Sequence, residues 1–311
     1  MDYGRYTFTC RFESDAELPY YKGSTFRGVF GRALKKTVCA LRRKTCDNCL
    51  LNATCLYAQV FELSASDNLK TESTKGALPH PFVIEPPATT KTRFSAGDIF
   101  DFHLLLFGVV NQSLPYFVYA LDQMGKAGIG KRINGSGGKY LLTQVSLGDT
   151  VIYTVADQKL KMPTGFETLS LRLPEQSSCD ETTLKVILET PLRLKFDNRL
   201  KADLPFHVLV RAMLRRVSSL MESYGDGEPA LDYKGLVKRA MEINTVENNV
   251  EWFDWRRYSF RQDQAMLMGG MVGSIVYEGE LAEFLPLVGF CKKVHLGKQT
   301  TFGLGGIRVE E

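Results

Sequence analysis

The chain has no apolar run approaching the roughly 18 residues that a bilayer-spanning helix needs, and its first residues, Met1-Asp2-Tyr3-Gly4-Arg5, do not lead into the apolar core of a signal peptide. The expectation is therefore a cytoplasmic protein with no membrane partner. It also lacks GxxxxGK[ST], and neither of its glycine-rich runs is a GxGxxG that follows a strand and opens a helix, with an acid about 20 positions on. Phosphate-loop and dinucleotide folds thus have little support. Histidine is scarce, with four in 311 residues, so imidazole chemistry is confined to His80, His103, His207 and His295. Seven cysteines, an odd number, sit in a chain long enough to bury a core without cross-links, which argues against a disulfide framework.

What is present is the composition of a folded soluble protein, 44% hydrophobic and 24% charged, at a length that favours two domains. The formal charge is only +4, but the cations are clustered. Between Gly31 and Cys46 stand Arg32, Lys35, Lys36, Arg42, Arg43 and Lys44 without an acid; between Cys291 and Phe302 stand Lys292, Lys293 and Lys298, again without one. Such local fields favour a polyanion.

Two glycine-rich basic runs lie about 170 residues apart, Gly125-Lys126-Ala127-Gly128-Ile129-Gly130-Lys131-Arg132 and Gly297 to Gly306. Each closes a half that begins with a strand and then a helix, as a duplicated unit would. Glycine permits close backbone approach and positive φ, and the adjoining cations can follow phosphates. Nucleic-acid backbone binding and a purely structural turn both fit these runs.

Four cysteines are spaced Cys39-x6-Cys46-x2-Cys49-x5-Cys55. Thiolates suit tetrahedral zinc, and the x2 spacing is a common half-site. A structural zinc is expected here, with an iron–sulfur cluster or uncoordinated thiols as the alternatives. Cys10, Cys179 and Cys291 read as isolated thiols.

Along the chain, Tyr6 to Phe12 reads as a strand and Gly23 to Val38 as a helix whose apolar side is Phe26, Val29, Phe30, Ala33, Leu34 and Val38. Ala58 to Leu63, Ile99 to Phe107 and Tyr116 to Ala120 look strand-like. His103 reads as a sheet residue, and His80, in Pro79-His80-Pro81, as a turn residue. The second half restarts with a strand from Thr182 to Leu194. Asp203-Leu204-Pro205 then signals a helix start, and Phe206, Leu209, Val210, Met213, Val217, Leu220 and Met221 carry helical spacing to about Ser223. His207, Arg211 and Arg215 fall four residues apart on one face, an RNA-lining stripe or an ordinary solvated one. Trp252 to Arg261 combines aromatic and basic residues, suited to stacking on bases or to core packing. The order fits an α+β protein with tandem ferredoxin-like (RRM-like) domains and a C-terminal glycine-rich loop, with boundaries near 1–175, which holds the four-cysteine insertion, and 180–311.

Thr190-Pro191-Leu192-Arg193-Leu194-Lys195, Phe206 to Leu220, Trp255 to Gln262 and His295 to Gly306 together resemble the C-terminal region of the CRISPR repeat-RNA-processing endoribonuclease family of the RAMP superfamily. Gly23 to Tyr57, with Phe26-Arg27-Gly28, is similar to that family's N-terminal half less distinctively. The resemblance implies RNA cleavage without a metal cofactor. The 2′-hydroxyl attacks the neighbouring phosphate, leaving a 2′,3′-cyclic phosphate and a 5′-hydroxyl. It also implies precursor or mature guide RNA and CRISPR effector subunits as partners. Many family members carry a histidine in or near the first helix, whereas this chain has none between Met1 and Pro79. That departure leaves open a second reading, a noncatalytic RNA-binding subunit of an effector complex.

The reaction needs a proton acceptor, a proton donor and cations for the transition state. His207 is the leading catalytic residue on this reading, with His295 as its counterpart and Lys298 and Arg211 as the cations; for each histidine a packed, structural role is the alternative. The expected RNA contacts are Arg27, Lys35, Lys36, Arg42 and Arg43 in the first helix and cysteine segment, and Lys126, Lys131 and Arg132 at the first glycine run. Arg215, Arg256, Arg257, Arg261, Gly303 and Gly305 are expected in the second half.

Overall fold

A computed structural model describes residues 1–41, 45–63, 78–133, 135–174, 181–194, 203–259 and 264–310. The chain forms two compact units, Met1–Thr168 and Leu169–Glu311. No described helix is long and apolar enough to cross a membrane.

The N-terminal unit contains β1 (Asp2–Phe12), α1 (Gly23–Val38), β2 (Phe82–Glu85), β3 (Ile99–Phe107), α2 (Leu114–Ala127), β4 (Tyr140–Leu147) and β5 (Thr150–Thr154). Its antiparallel sheet runs β2-β3-β1-β4-β5, with Glu167–Thr168 added at the start of β1. Alternation along β1 buries Tyr6, Phe8, Cys10 and Phe12 on one face. Against that face α1 sets Phe26, Phe30 and Leu34, spaced by four, and α2 sets Leu114, Phe117, Leu121 and Met124. The rings interlock: Phe8 stacks on Phe102 at 5.1 Å, and Phe26 meets Phe102 edge-on at 5.1 Å. Each such side chain contributes roughly 1.5–3 kcal/mol on burial.

Two expected strands are helical. Tyr116 to Ala120 lies inside α2 because Pro115 opens a helix and the buried residues Leu114, Phe117, Val118, Leu121 and Met124 recur at three and four, leaving Tyr116 and Tyr119 exposed. Ala58 to Leu63 overlaps a short helix, Leu56–Phe61, whose six residues are too few for the two periods to be told apart.

The C-terminal unit contains β6 (Thr182–Leu192), α3 (Phe206–Tyr224), β7 (Asn244–Ser259), β8 (Gln264–Gly279), α4 (Leu285–Val294) and β9 (Ile307–Glu310), with sheet order β7-β8-β6-β9, all antiparallel. Written as β-α-β-β-α-β, the four principal strands of each unit therefore lie in the order two, three, one, four, consistent with a tandem ferredoxin-like fold. The helix α3 forms as its spacing demands, burying Phe206, Leu209, Val210, Met213, Val217, Leu220 and Met221. Pro205 stands at its N-cap rather than Asp203, which is exposed, and the Gly225 amide closes its end on the Met221 carbonyl at 2.9 Å.

Within this unit α3 and α4 run in the same direction. Phe206 lies edge-on to Phe284, just before α4, at 5.1 Å; the Cys291 thiol approaches the Met213 carbonyl; and Arg216 reaches Val294 at the end of α4. The Tyr277 hydroxyl donates to the Leu204 carbonyl at 2.6 Å, and Tyr277 pairs with Leu184 near the start of β6. Leu204 therefore stands at the end of the sheet where β6 begins.

Candidate functional site

The second glycine run folds back on the end of β6. The Lys298 amide donates to the Arg193 carbonyl at 3.0 Å, the Gly305 amide to the Pro191 carbonyl at 3.1 Å, and the Gly306 amide to Thr190 Oγ1 at 2.8 Å. Gly297, Gly303 and Gly305 all have φ between 77° and 80°, which only glycine adopts without strain. A Cβ at Gly305 would collide with the Leu296 carbonyl oxygen. Gly303 and Gly305 are buried, and the Gly303 amide donates to the Thr300 carbonyl at 2.7 Å. Both amides are thus used inside the protein, so these two expected RNA contacts shape the loop rather than present open backbone. Lys298 is exposed on the same loop, and the exposed Lys292 and Lys293 end α4.

His295 belongs to this loop's foundation. It is buried, adopts φ 59°, and places Nδ1 3.1 Å from the Leu304 carbonyl. A carbonyl can only accept, so Nδ1 carries the proton. The carbonyls of Val294 and His295 accept from Arg216 Nε at 3.2 and 3.1 Å, and Nη2 adds a 2.7 Å bond to Val294. Arg216 satisfies the open carbonyl end of α4 with a cation, where the helix dipole favours one. Burial lowers its pKa to about 10, which leaves it charged at neutral pH. Residue-by-residue reading missed Arg216 because it sits in a run of two arginines on a helix, and nothing in that pattern says which one turns inward.

His207 occupies the first turn of α3, half-buried, with the exposed Arg211 one turn on and the exposed Arg215 a turn further. Burial, and then the Arg211 guanidinium, hold its imidazole below the ordinary histidine value, against an opposing pull from Asp203. Its neutral form is therefore favoured near pH 7. His207 and His295 are not neighbours. Nine residues of α3 separate His207 from Arg216, the residue that grips His295, a rise of about 13 Å. Because α3 and α4 run in the same direction, the two histidines mark opposite ends of the helix pair. The expected pairing of His207 and His295 as acid and base at one phosphate does not hold in this geometry, and Lys298 stands with His295 rather than with His207.

The strands β7 and β8 continue past β6. From Phe253 opposite Gly270 to Ser259 opposite Gln264 they pair with each other, whereas the pairing of β6 with β8 stops at Leu192 and Met271. This two-stranded arm carries Arg256 and Arg257, in register with Leu267 and Met266. Phe253 and Trp255 stack at 5.8 Å, and Trp252 Nε1 donates to Asp254 at 2.8 Å. All three rings are half-buried.

In the N-terminal unit the guanidinium of half-buried Arg27 lies over the Phe61 ring at 5.1 Å and the Lys35 ammonium over Tyr57 at 5.0 Å, while Lys36 is exposed. Lys126 is held by Asp122 at 2.6 Å and Lys131 by Glu17 at 3.1 Å, whereas Arg132 is exposed and forms no ion pair among the described residues. That run is a packing device: a Cβ at Gly125 would strike Tyr140 and one at Gly130 the Glu17 backbone, and the chain then forms a hairpin, Ile129–Ile133 with Ser136–Gly138. Arg42, Arg43 and Arg261 lie outside the described residues. Cys39 ends α1, Cys46 and Cys49 bound a turn closed at 3.2 Å, and Cys55 precedes the helix Leu56–Phe61. His103 sits on β3 with Nδ1 3.0 Å from Thr7 Oγ1, and His80 Nδ1 lies 2.8 Å from the Val60 carbonyl.

Against this geometry, residues 1–164 match the family model of the AF_1859_N N-terminal domain, and residues 186–307 match that of the CRISPR-associated endoribonuclease Cas6. An "uncharacterized protein" of Archaeoglobus fulgidus is 25% identical over 295 residues, covering 94% of this chain and 92% of that one. Among solved structures, a Cas6 product complex aligns with a TM-score of 0.56 at 12% identity over 99% of both chains. Thermus thermophilus Cas6 gives 0.53 at 11% identity over 99% of this chain and 98% of that one. A chain of a partial Cas6-RT-Cas1–Cas2 complex gives 0.57 at 12% identity over 99% of this chain and 46% of its own length. At these identities the structural likeness speaks for the fold.

Proposed function

We propose that this chain, whose residues 186–307 match the family model of the CRISPR-associated endoribonuclease Cas6, cuts CRISPR precursor RNA within its repeats without a metal cofactor. In this reading His207 accepts the proton of the 2′-hydroxyl beside the scissile phosphate. The freed oxygen bonds to phosphorus as the bond to the 5′-oxygen breaks, and that oxygen takes up a proton. The products are a 2′,3′-cyclic phosphate and a 5′-hydroxyl. Arg211, one helical turn from His207, stabilises the charge that gathers on the phosphoryl oxygens. The exposed Lys298, Lys36 and Arg132, with the arm of β7 and β8, hold the RNA backbone and bases. The cut guide RNA then passes to effector subunits.

The observation that carries this reading is the half-buried His207, kept neutral by burial and by Arg211, in the family-matched segment. A neutral imidazole is the form that can take a proton. The test is incubation with a cognate repeat RNA in EDTA, beside the same RNA carrying a 2′-deoxy nucleotide before the cut. Site-specific cutting of the first and protection of the second is expected. Failure to cut a correctly folded repeat that the protein nevertheless binds would favour the noncatalytic RNA-binding subunit, a reading that gains from the absence of histidine before His80 and from the inward, hydrogen-bonded setting of His295.

A further inference from the structure

We propose that Cys39, Cys46, Cys49 and Cys55 bind one zinc ion as four thiolates, closing the segment between α1 and the helix Leu56–Phe61 into a metal-pinned loop. The first observation is convergence. Cys39, Cys49 and Cys55 line one cavity of about 450 Å³, which Tyr116 of α2 also lines. Cys46 is tied to this group through the backbone, where the Cys49 amide donates to its carbonyl at 3.2 Å. All four cysteines are free thiols and half-buried.

The second observation is how this segment is packed. From Thr45 to Cys55 no residue is buried, and Leu50 stands 88% exposed. The residues that turn inward are Cys46, Cys49, Asn52 and Cys55, and Asn52 Nδ2 donates to the Cys46 carbonyl at 2.6 Å. A stretch that exposes Leu50 and has no buried residue has no apolar core of its own to offset the entropy of ordering. A metal bound to thiolates supplies that stabilisation, because binding free energy becomes folding free energy.

The local backbone suits the role. The Cys49 amide donates to the Cys46 carbonyl, so the x2 pair spans one tight turn. The backbone is extended at both Cys39 and Cys55, where the chain enters and leaves the loop. Among the described residues no three His, Cys, Asp or Glu side chains already stand at ligand spacing. Zinc is the ion of choice: an all-sulfur set selects zinc or iron–sulfur chemistry, and four thiolates from a single short loop complete a tetrahedron around one ion. The four ligands leave no open position, so the ion is structural.

The deciding experiment is metal analysis of the untagged full chain purified without added metal. Close to one zinc per chain is expected, falling to background in Cys46→Ser/Cys49→Ser. Exchange of the wild-type protein with cobalt(II) should give the intense sulfur-to-cobalt charge-transfer and tetrahedral ligand-field bands of a four-thiolate site, which decides the matter even if the double variant fails to fold. Substoichiometric zinc and iron, unchanged zinc in the variant, or iron with a visible sulfide chromophore in place of zinc would each overturn the proposal. Since Arg42, Arg43 and Lys44 fall between the first two ligands in sequence, zinc removal should also weaken RNA binding. That consequence rests on the RNA-processing reading, whereas the metal content does not, so the two can fail separately.

Discussion

The two units share a strand order and differ in how their helices run. In the N-terminal unit α1 starts where Phe26 meets Phe100, and its later residue Phe30 meets Phe117 near the start of α2; the later Leu121 of α2 accepts from Tyr140, which itself packs on Phe100. The helices there are antiparallel. In the C-terminal unit Phe206 meets Phe284 at the start of α4 and Arg216 meets Val294 at its end, so the helices are parallel. The same sheet thus tolerates either helix direction, provided the apolar stripe still faces it. The direction carries His207 to the end of the helix pair away from the glycine loop and leaves His295 beside it. Glycine follows the same division. The loop at Gly297 to Gly306 is bent by positive φ and inward amides, whereas Gly28 on α1 has open space where a side chain would be.

The hardest test of this contrast concerns the two histidines. His207→Ala should lower the single-turnover cleavage rate by about 10²–10⁴-fold while RNA affinity stays within a few-fold, because it removes proton transfer and little binding. His295→Ala should act mainly on thermal stability. With the His207 pKa below its ordinary value, the rising limb of the pH–rate profile should lie below pH 6.5; a limb above 6.5, or equal loss of rate in both variants, would break the assignment.

Gly305→Ala comes next. It forces positive φ on a residue with a Cβ and drives that atom into the Leu296 carbonyl, so a loss of about 2–4 kcal/mol is expected in denaturant titration. Gly28→Ala should instead gain about 0.5–1 kcal/mol, since it adds helix propensity without a clash. Similar losses at both sites would erase the distinction between the two glycine settings.

Arg216→Met should destabilise the C-terminal unit by about 2–3 kcal/mol by leaving the Val294 and His295 carbonyls without their donor. The N-terminal unit has its own buried cation, Lys22, whose Nζ donates to the Tyr20 and Thr89 carbonyls at 3.1 and 2.6 Å. Lys22→Met should cost about 1–2 kcal/mol, less than Arg216 because fewer donors are lost. Calorimetry resolving the two units would show which transition moves.

The smallest effect is on pH. Burial, and then Arg5, hold His103 on β3 below its usual value of 6.5. On acidification the unfolded chain takes up that proton first, so the contribution is complete above about pH 6.5 and is lost as pH falls below it. Denaturant midpoints compared at about pH 7.5 and 5.5 should show the decline, and His103→Gln should flatten it.

Periodicity was enough for α1, β3 and α3, because each has an apolar stripe long enough to separate a period of two from one of 3.6. It failed at Tyr116 to Ala120, where aromatic and β-branched residues mimic a strand and only the wider stripe from Leu114 to Met124 reveals the helix. The glycine runs were visible as runs, but their purpose was not: whether an amide faces solvent or the Pro191 carbonyl depends on a partner more than a hundred residues away.

By itself, then, the sequence determined the two α+β halves, the apolar faces of their main helices, the clustering of cations and the four-cysteine segment, since each is a local pattern of side-chain chemistry along one stretch of chain. Tertiary structure alone decided that α3 and α4 run in the same direction, that Arg216 turns inward while Arg211 and Arg215 face out, and that His295 meets α3 at Arg216, about 13 Å along the helix from His207. Those outcomes depend on where the chain returns across a sheet and which carbonyls are left open there, and no spacing of residues along a single element carries that information.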